Sequence, residues 1–371
     1  MTPLFTPIGI RSLALPNRVV MSPMTREHSP GGVPGADVAA YYRRRAEGGT
    51  GLIVTEGVAI DHPSAVDSAK VPRLHGDAAL TGWRGVVDAV HAAGGRIIPQ
   101  LWHVGPLWGA MGAIDPEVVP MRPSGLWGEP GRTVYPADYI AKASIPTRAM
   151  TEGDIEEVIA AYVRSARNAI AVGFDGIAIH AGHGYLLDSF LWKSTNVRDD
   201  HWGGDLHRRT NFPVEVVRAI RSEIGPRPPI FYRFSQHKQQ DYGARFADTP
   251  DELSLVLNAL VDAGVDVLDA SARRFHDPAF EGSDLTLAGW AKKLTGAVSM
   301  AVGSIGLSTS LRDPGRPEPA DLDGLLRRLD DGEFDLAAIG RLHLAEPALA
   351  RLLRDGTVPA FDRVRHVGRL H

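Results

Sequence analysis

The amino-acid sequence predicts an α/β fold, the closed (β/α)8 TIM barrel, with a hairpin plug before its first strand and a long capping loop after its third. Three observations carry this. Eight short β-type runs can be counted, at residues 18–24, 51–57, 96–101, 175–180, 229–235, 265–271, 297–303 and 334–340. Most are continuously apolar, as in Gly51-Leu52-Ile53-Val54-Thr55, the pattern of strands covered on both faces in a parallel sheet. Helical stretches lie between them, and strand–helix alternation eight times over argues a barrel. The competing open doubly wound sheet would carry a Gly-rich turn after its first strand, and Pro23-Met24-Thr25-Arg26 offers none.

In chain order, residues 4–15 read as a short hairpin that plugs the N-terminal mouth. After the first strand, Tyr41-Tyr42-Arg43-Arg44-Arg45 falls in a helical stretch, and its arginine run reads as a solvated face. A helix is expected over 80–93. Residues 103–146, after the third strand, are rich in Gly, Pro and Trp and have little periodicity. A loop of that length inside a compact domain is usually functional, here a lid or binding loop on the active face. The clearest helix is 152–172. Thr151 and Asp154 make a capping-box-like start, Ile155, Val158, Ile159, Tyr162, Val163 and Ala166 recur at helical spacing, and Gly173 suits the stop. Further helices are expected at 213–224, 250–263, 322–331 and 346–354. The segment 236–240 after the fifth strand reads as a polar loop, with contact to substrate or a partner subunit as the alternative. The basic tail Arg363-Val364-Arg365-His366 is expected to fray, with contact to a neighbouring subunit as the alternative. No linker, low-complexity segment or repeat beyond the alternation divides the chain, so residues 1–371 read as one domain.

The chain has 371 residues, enough to bury a large core without covalent staples. Its 44% hydrophobic and 23% charged residues are those of an ordinary soluble globular protein. A net charge of −4 with both signs interspersed suggests no nucleic-acid or membrane-surface partner. With no cysteine, disulfides, thiolate catalysis, iron–sulfur clusters and Cys-ligated zinc are excluded, and a cytoplasmic home is compatible. Residues 1–16 show no signal pattern, and no apolar run approaches the roughly 20 residues needed to span a bilayer.

Chemistry in such a barrel sits at the C-terminal ends of the strands. There the fourth strand runs out into His180, His183 and Tyr185. Imidazole nitrogens can donate hydrogen bonds to an oxygen, and a phenol can supply a proton. Together they fit a site that polarises a carbonyl and protonates its neighbour. Each has a blander reading. His-x-x-His can bind zinc, although no nearby carboxylate or third histidine stands at a fitting position, so no metal is expected. Tyr185, between Gly184 and Leu186-Leu187, also fits a packed aromatic. The other strand-end candidates are Thr25, Gly57, Gln100, Trp102 and Arg233. Gln100 and Arg233 stand in otherwise apolar strands, where burial is costly unless something polar meets them. Arg233 reads either as half of a buried ion pair or as the fixed cation of a flavin site. A flavin's N1 becomes anionic on reduction, and its pyrimidine carbonyls suit the Gln100 amide. Strands seven and eight end in Gly303-Ser304 and Gly340-Arg341, and closely approaching backbone N–H groups with a guanidinium suit a phosphate.

These residues, in this order, resemble the Old Yellow Enzyme family of FMN-dependent ene-reductases, and the likeness covers nearly the whole chain. It runs from Leu4-Phe5-Thr6-Pro7-Ile8 and Pro16-Asn17-Arg18-Val19-Val20-Met21-Ser22-Pro23-Met24-Thr25-Arg26 through Gln100-Leu101-Trp102-His103 and residues 180–187. It continues with Asn196-Val197-Arg198-Asp199, Gly203-Gly204 and Arg233-Phe234-Ser235, and closes with Gly340-Arg341. The resemblance implies a tightly but non-covalently bound FMN, with NADH or NADPH as reductant. It implies Pro23, Met24 and Thr25 against the flavin, Thr25 bonding the O4 side, Gly57 backing the ring, Gln100 on the pyrimidine edge and Arg233 by N1 and O2. Gly303, Ser304, Gly340 and Arg341 would hold the phosphate. Trp102 would shape the substrate pocket, His180 and His183 would hold the substrate's carbonyl or nitro oxygen, and Tyr185 would donate the proton.

The implied reaction carries hydride from the nicotinamide, by way of flavin N5, to the β-carbon of an activated alkene, and Tyr185 protonates the α-carbon. A redox-neutral isomerase and an oxidative demethylase are alternatives on the same scaffold. Family members are often homodimers or homotetramers, and no adenylate-reading motif separates NADH from NADPH. Thr25 matches the threonine branch of the family rather than the cysteine branch. The chain departs from the family pattern at Trp192-Lys193, at His201-Trp202 and at Asp205-Leu206-His207-Arg208-Arg209, positions expected to be structural. The loop 308–319 is expected to alter the phosphate end.

Overall fold

The eight apolar runs pair edge to edge and close on themselves. A computed structural model describes residues 2–112, 117–310, 317–320 and 322–370. An N-terminal hairpin, β1 (Ile8–Ile10) and β2 (Leu13–Leu15), precedes the barrel strands. These are β3 (Val19–Met21), β4 (Leu52–Ala59), β5 (Ile97–Trp102), β6 (Ile177–His180), β7 (Ile230–Phe234), β8 (Val267–Ser271), β9 (Val298–Val302) and β10 (Leu336–Ile339). Strands β3 to β10 are parallel and consecutive, and β10 returns to pair with β3. Closure removes the open-sheet alternative.

Side-chain alternation explains why the runs read as apolar throughout. Val20, Leu52, Val54, Ile98, Ala178 and Phe231 point into the barrel. Their neighbours Val19, Met21, Ile53, Ile97, Ile177 and Ile179 pack outward against the helices. The hairpin completes the inner cluster with Ile10, Leu13 and Leu15. Ser12 N–H donates to Arg227 O at 3.3 Å, and Arg11 pairs with Asp266. Asp266 immediately precedes β8 and Arg227 stands three residues before β7, so the hairpin closes the N-terminal mouth, as expected.

The helix Glu152–Val172 starts and stops where the sequence places it. Thr151 Oγ1 accepts from Asp154 N–H at 3.2 Å, Asp154 Oδ2 accepts from Thr151 N–H at 2.8 Å, and Gly173 ends the helix at φ 103°. Pro250–Ala263 also matches expectation, and Asp77–Ala92, Asn211–Ile224, Asp323–Asp330 and Leu349–Arg354 differ only at their ends. Helices Ala137–Ala143, Leu186–Leu191 and Leu287–Thr295 were not expected. They are short, and a few residues give too little periodicity to read. Among the described residues no helix is long and apolar enough to cross a membrane.

Two expectations are corrected. The run Arg43-Arg44-Arg45 is not one solvated face. In the helix Ala36–Glu47, Arg43 is exposed but Arg45 is wholly buried. Its guanidinium lies 3.7 Å from the Tyr41 ring centroid and donates to His343 O at 2.7 Å. The C-terminal tail is placed against the body of the molecule, with Arg363–His366 in a helical turn and the carbonyls after it hydrogen-bonded. Arg26 Nη2 donates to Val367 O at 2.6 Å and Arg369 O at 2.9 Å, and Arg44 Nη2 donates to Leu370 O at 3.0 Å. In each case a remote partner supplies what the local sequence does not show.

Candidate active site

The period of two that fills the barrel also builds the site. Two residues beyond inward-facing Ile98 is Gln100. Arg233 likewise follows Phe231, His180 follows Ala178, Asp269 follows Val267, Ser22 follows Val20 and Gly340 follows Ala338. The register shift in β4 between Val54 and Gly57 returns Gly57 to the same phase, opposite Gln100. Polar groups thus replace apolar ones on the inner face at the C-terminal ends of five strands, and glycine opens that face at Gly57 and Gly340.

They line two adjoining cavities. The smaller, about 110 Å³, is bounded by Pro23, Thr25, Gly57, Gln100, Trp102, His180, His183, Tyr185 and Arg233. The larger, about 500 Å³, shares Pro23, Thr25, His183, Tyr185 and Arg233 and extends past Met24 to Gly303, Ser304, Gly340 and Arg341. The structure therefore gathers every sequence-derived candidate around one continuous depression. The larger cavity falls within the roughly 300–1,000 Å³ of small-molecule sites.

Aromatic and imidazole rings form one wall. The His180 ring centroid lies 4.7 Å from Tyr185, 5.1 Å from His183 and 6.2 Å from Trp102, and Trp102 meets Tyr185 edge-on at 5.1 Å. Gly57 must be glycine, because a Cβ there would sit 2.4 Å from the Trp102 ring. His183 adopts φ 63°. Its N–H donates to Ser235 Oγ at 2.8 Å, and its Nε2 lies 2.9 Å from Ser271 Oγ. Burial, reinforced by the Arg233 guanidinium, pushes His180 well below the ordinary histidine range. Burial also lowers His183 strongly, aided by His237, His180, Arg233 and Lys238. Both rings are neutral at neutral pH, and each offers one N–H.

Arg233 has the buried carboxylate partner of its blander reading. Its Nε donates to Asp269 Oδ2 at 2.7 Å, and its Nη2 donates to Asp269 Oδ1 at 3.2 Å and Ser22 Oγ at 3.1 Å. Among the described residues Nη1 has no hydrogen-bond partner, and the side chain lines both cavities. Asp269 holds one edge of the guanidinium and leaves charge for a ligand. The sequence reading missed Asp269, although a carboxylate two residues from Val267 carries the same signal as Arg233.

At the far end, Gly303 takes φ 144° and Ser304 φ 50°. A Cβ on Gly303 would meet Ala272 O at 2.5 Å. Arg341 Nη2 donates to Ser304 Oγ at 2.9 Å and to Thr309 O at 2.6 Å. Arg273, also unforeseen, joins this end and donates from Nη2 to Ser310 Oγ at 2.8 Å. The base of the loop 308–319 is pinned where Ser308 N–H donates to Glu318 O at 2.9 Å. Its residues 311–316 lie outside the described residues.

The segment 236–240 is more than a polar loop. Lys238 and Gln240 are fully buried. Lys238 Nζ lies 2.5 Å from Asp188 Oδ1, and Gln240 Nε2 donates to Trp127 O at 3.2 Å. Gln239 Nε2 donates to Tyr185 Oη at 2.6 Å. The long loop 103–146, of which 113–116 lie outside the described residues, packs Leu107, Trp127, Tyr135 and Tyr139 into a cluster with Tyr185. Trp202 is structural, as expected of this departure, since it is buried and its Nε1 donates to Glu152 Oε2 at 2.7 Å.

Among the described residues three buried polar atoms of this wall, Gln100 Nε2, Trp102 Nε1 and His180 Nδ1, have no hydrogen-bond partner. Leaving a buried donor or acceptor unpaired costs about 1–3 kcal/mol. Three together favour a polar ligand. Among the described residues no three His, Asp or Glu side chains gather as a metal site. An amide, a half-satisfied guanidinium and a glycine-rich end with arginines fit the ring and phosphate of FMN.

Barrel and site define the class of flavin-binding TIM-barrel oxidoreductases. A family model described as NADH:flavin oxidoreductase / NADH oxidase matches residues 3–358. Over 227 residues the chain is 39% identical to 12-oxophytodienoate reductase 7 of Oryza sativa subsp. japonica, covering 60% of this chain and 56% of that one. Over 359 residues it is 31% identical to an NADH oxidase of Thermoanaerobacter brockii, covering 95% and 51%. The chain thus spans about half the length of these curated relatives. A solved structure of morphinone reductase in complex with tetrahydroNAD superposes with a TM-score of 0.79 at 30% identity, covering 97% of this chain and 93% of that one. This chain belongs to the NADH:flavin oxidoreductase / NADH oxidase family, the Old Yellow Enzyme family, whose cofactor is FMN.

Proposed function

We propose that this protein is an FMN-dependent ene-reductase that uses NADH or NADPH to saturate α,β-unsaturated carbonyl or nitro compounds. The observation that carries the reading is the smaller cavity, where two lowered imidazoles, a phenol, an amide and a guanidinium share one wall. Thr25, Gln100 and Arg233 would hold the flavin ring, with Pro23, Met24 and Gly57 lining its place. Gly303, Ser304, Gly340 and Arg341 would hold the phosphate. Bound FMN supplies the redox chemistry, accepting hydride from the nicotinamide and delivering it to the alkene.

The chain's own groups do the rest. His180 and His183 donate to the activating oxygen and stabilise the negative charge that develops there. As neutral rings they do so as hydrogen-bond donors without surrendering a proton. Tyr185 gives its hydroxyl proton to the α-carbon and is reprotonated from solvent. Trp102, packed edge-on to Tyr185, limits the phenol's swing, and the Leu107–Trp127–Tyr139 cluster keeps bulk water from its back.

Anaerobic half-reactions test this. Tyr185→Phe is expected to slow alkene reduction by about 100-fold or more, the usual contribution of a positioned acid. Flavin reduction by the nicotinamide should stay near wild type. One nicotinamide should be consumed per alkene reduced. Unchanged turnover in Tyr185→Phe would assign the proton to another donor, and enone conversion without nicotinamide consumption would indicate a redox-neutral isomerase.

A further inference from the structure

The phenol at the centre of the site ends a hydrogen-bonded chain of three residues, Tyr135, Gln239 and Tyr185, from three separate segments. Gln239 Nε2 donates to Tyr185 Oη at 2.6 Å, and Gln239 Oε1 accepts from Tyr135 Oη at 2.8 Å. Tyr135 belongs to the long loop after β5, and Gln239 to the polar segment after β7. The peptide of Gln239 is anchored apart from its side chain. Its N–H donates to His183 O at 3.1 Å, and its carbonyl accepts from Thr133 Oγ1 at 2.6 Å. The adjoining Lys238–Asp188 ion pair, wholly buried, ties the same segment to the helix that follows Tyr185.

We propose that Gln239 is a positioning residue for alkene protonation, its amide N–H occupying a lone pair of the Tyr185 hydroxyl so that the O–H is offered to the substrate, and that Tyr135 fixes the amide in that orientation. The inference rests on Tyr185 being the proton donor. A phenol has one O–H to give and two lone pairs to receive. An acceptor at 2.6 Å would capture the O–H and turn it from the cavity; a donor there does the reverse. The same N–H stabilises the phenolate left once the proton has gone. Hydrogen bonds to a charged oxygen are roughly twice as strong as those between neutral groups. The contact therefore strengthens along the reaction, which is the kind of interaction that raises a rate. An amide does not hand a proton on at neutral pH, so the role is orientation and not relay. The hydroxyl of Tyr135, donating to Oε1, keeps the NH2 end toward Tyr185.

The test compares Gln239→Met, Gln239→Glu, Tyr135→Phe and Tyr185→Phe as FMN-loaded proteins, with flavin content and circular dichroism confirming the fold. Gln239→Met is expected to slow alkene reduction about tenfold, the loss of one such hydrogen bond, with flavin reduction unchanged. The alkaline limb of its alkene-reduction profile should move to higher pH, because the phenolate has lost a donor. A merely structural role would not move that limb. Gln239→Glu nearly keeps the shape but presents an acceptor, and is expected to be slower than Gln239→Met at neutral pH. Tyr135→Phe should fall between wild type and Gln239→Met. Wild-type rates and pH limb in Gln239→Met, with Tyr185→Phe slow, would overturn the inference while leaving Tyr185 as the acid. Wild-type behaviour of Gln239→Glu would overturn it too, since the amide would then be accepting. A wild-type rate in Tyr185→Phe would overturn both readings together.

Discussion

In the proposed reaction His180 and His183 act by staying uncharged. Burial and neighbouring cations depress both from an ordinary value near 6.5. A depressed imidazole takes its proton only at pH well below 6.5, so both remain neutral donors on the way down from alkaline pH. The KM for cyclohexenone is therefore expected to be flat from pH 8 to about pH 6, and an inflection near 6.5 would mean a solvent-like imidazole. His180→Ala removes one donor and should weaken enone binding about tenfold. The residues that stood out in the sequence did so by breaking an apolar strand, as Gln100 and Arg233 do. Asp269 breaks its strand in the same way and was legible in principle. Arg45 was not, because the His343 carbonyl that receives it becomes a neighbour only through the fold, although Tyr41 stands one helical turn before it.

The segment 236–242 and the helix Leu186–Leu191 work as a pair of clamps around Tyr185. Their bolt is the Lys238–Asp188 pair, buried on both sides. Lys238→Met strands a buried carboxylate, and unpairing of this kind costs about 3–5 kcal/mol. The double variant Lys238→Met/Asp188→Leu should recover most of that, as read from denaturant midpoints. We propose residues 1–371 as one domain, in which case tryptophan fluorescence and flavin release follow the same unfolding curve. Separate transitions would contradict it. Elements whose partners are local were legible, as with the Thr151–Asp154 capping box. The clamp was not, because Asp188, Trp127 and Tyr135 reach 236–240 from other segments. In isolation that stretch looks like ordinary solvated polarity.

The whole molecule follows one rule of alternation. Each barrel strand alternates between the inner core and the helical shell, and at or just past the C-terminal ends of β3, β5, β6, β7 and β8 the inward position turns from apolar to polar, at Ser22, Gln100, His180, Arg233 and Asp269. The barrel was legible because both faces of each strand are buried, which leaves an unbroken apolar run. The hairpin plug was legible for a different reason, since its strands bury one face only and Ile10, Leu13 and Leu15 on that face finish the inner cluster. The tail was not, because its anchors are its own backbone carbonyls, which any sequence possesses. The central claim is that the polar ends of these strands hold FMN beside Tyr185 and pass its electrons to an alkene. It is tested most directly by the visible spectrum of the FMN-reconstituted protein during anaerobic titration, first with NADH or NADPH and then with cyclohexenone. The account predicts a bound flavin spectrum that bleaches with nicotinamide and returns, equivalent for equivalent, with the enone. A protein that stays colourless after reconstitution, or a bleached flavin that the enone does not reoxidise, would contradict it.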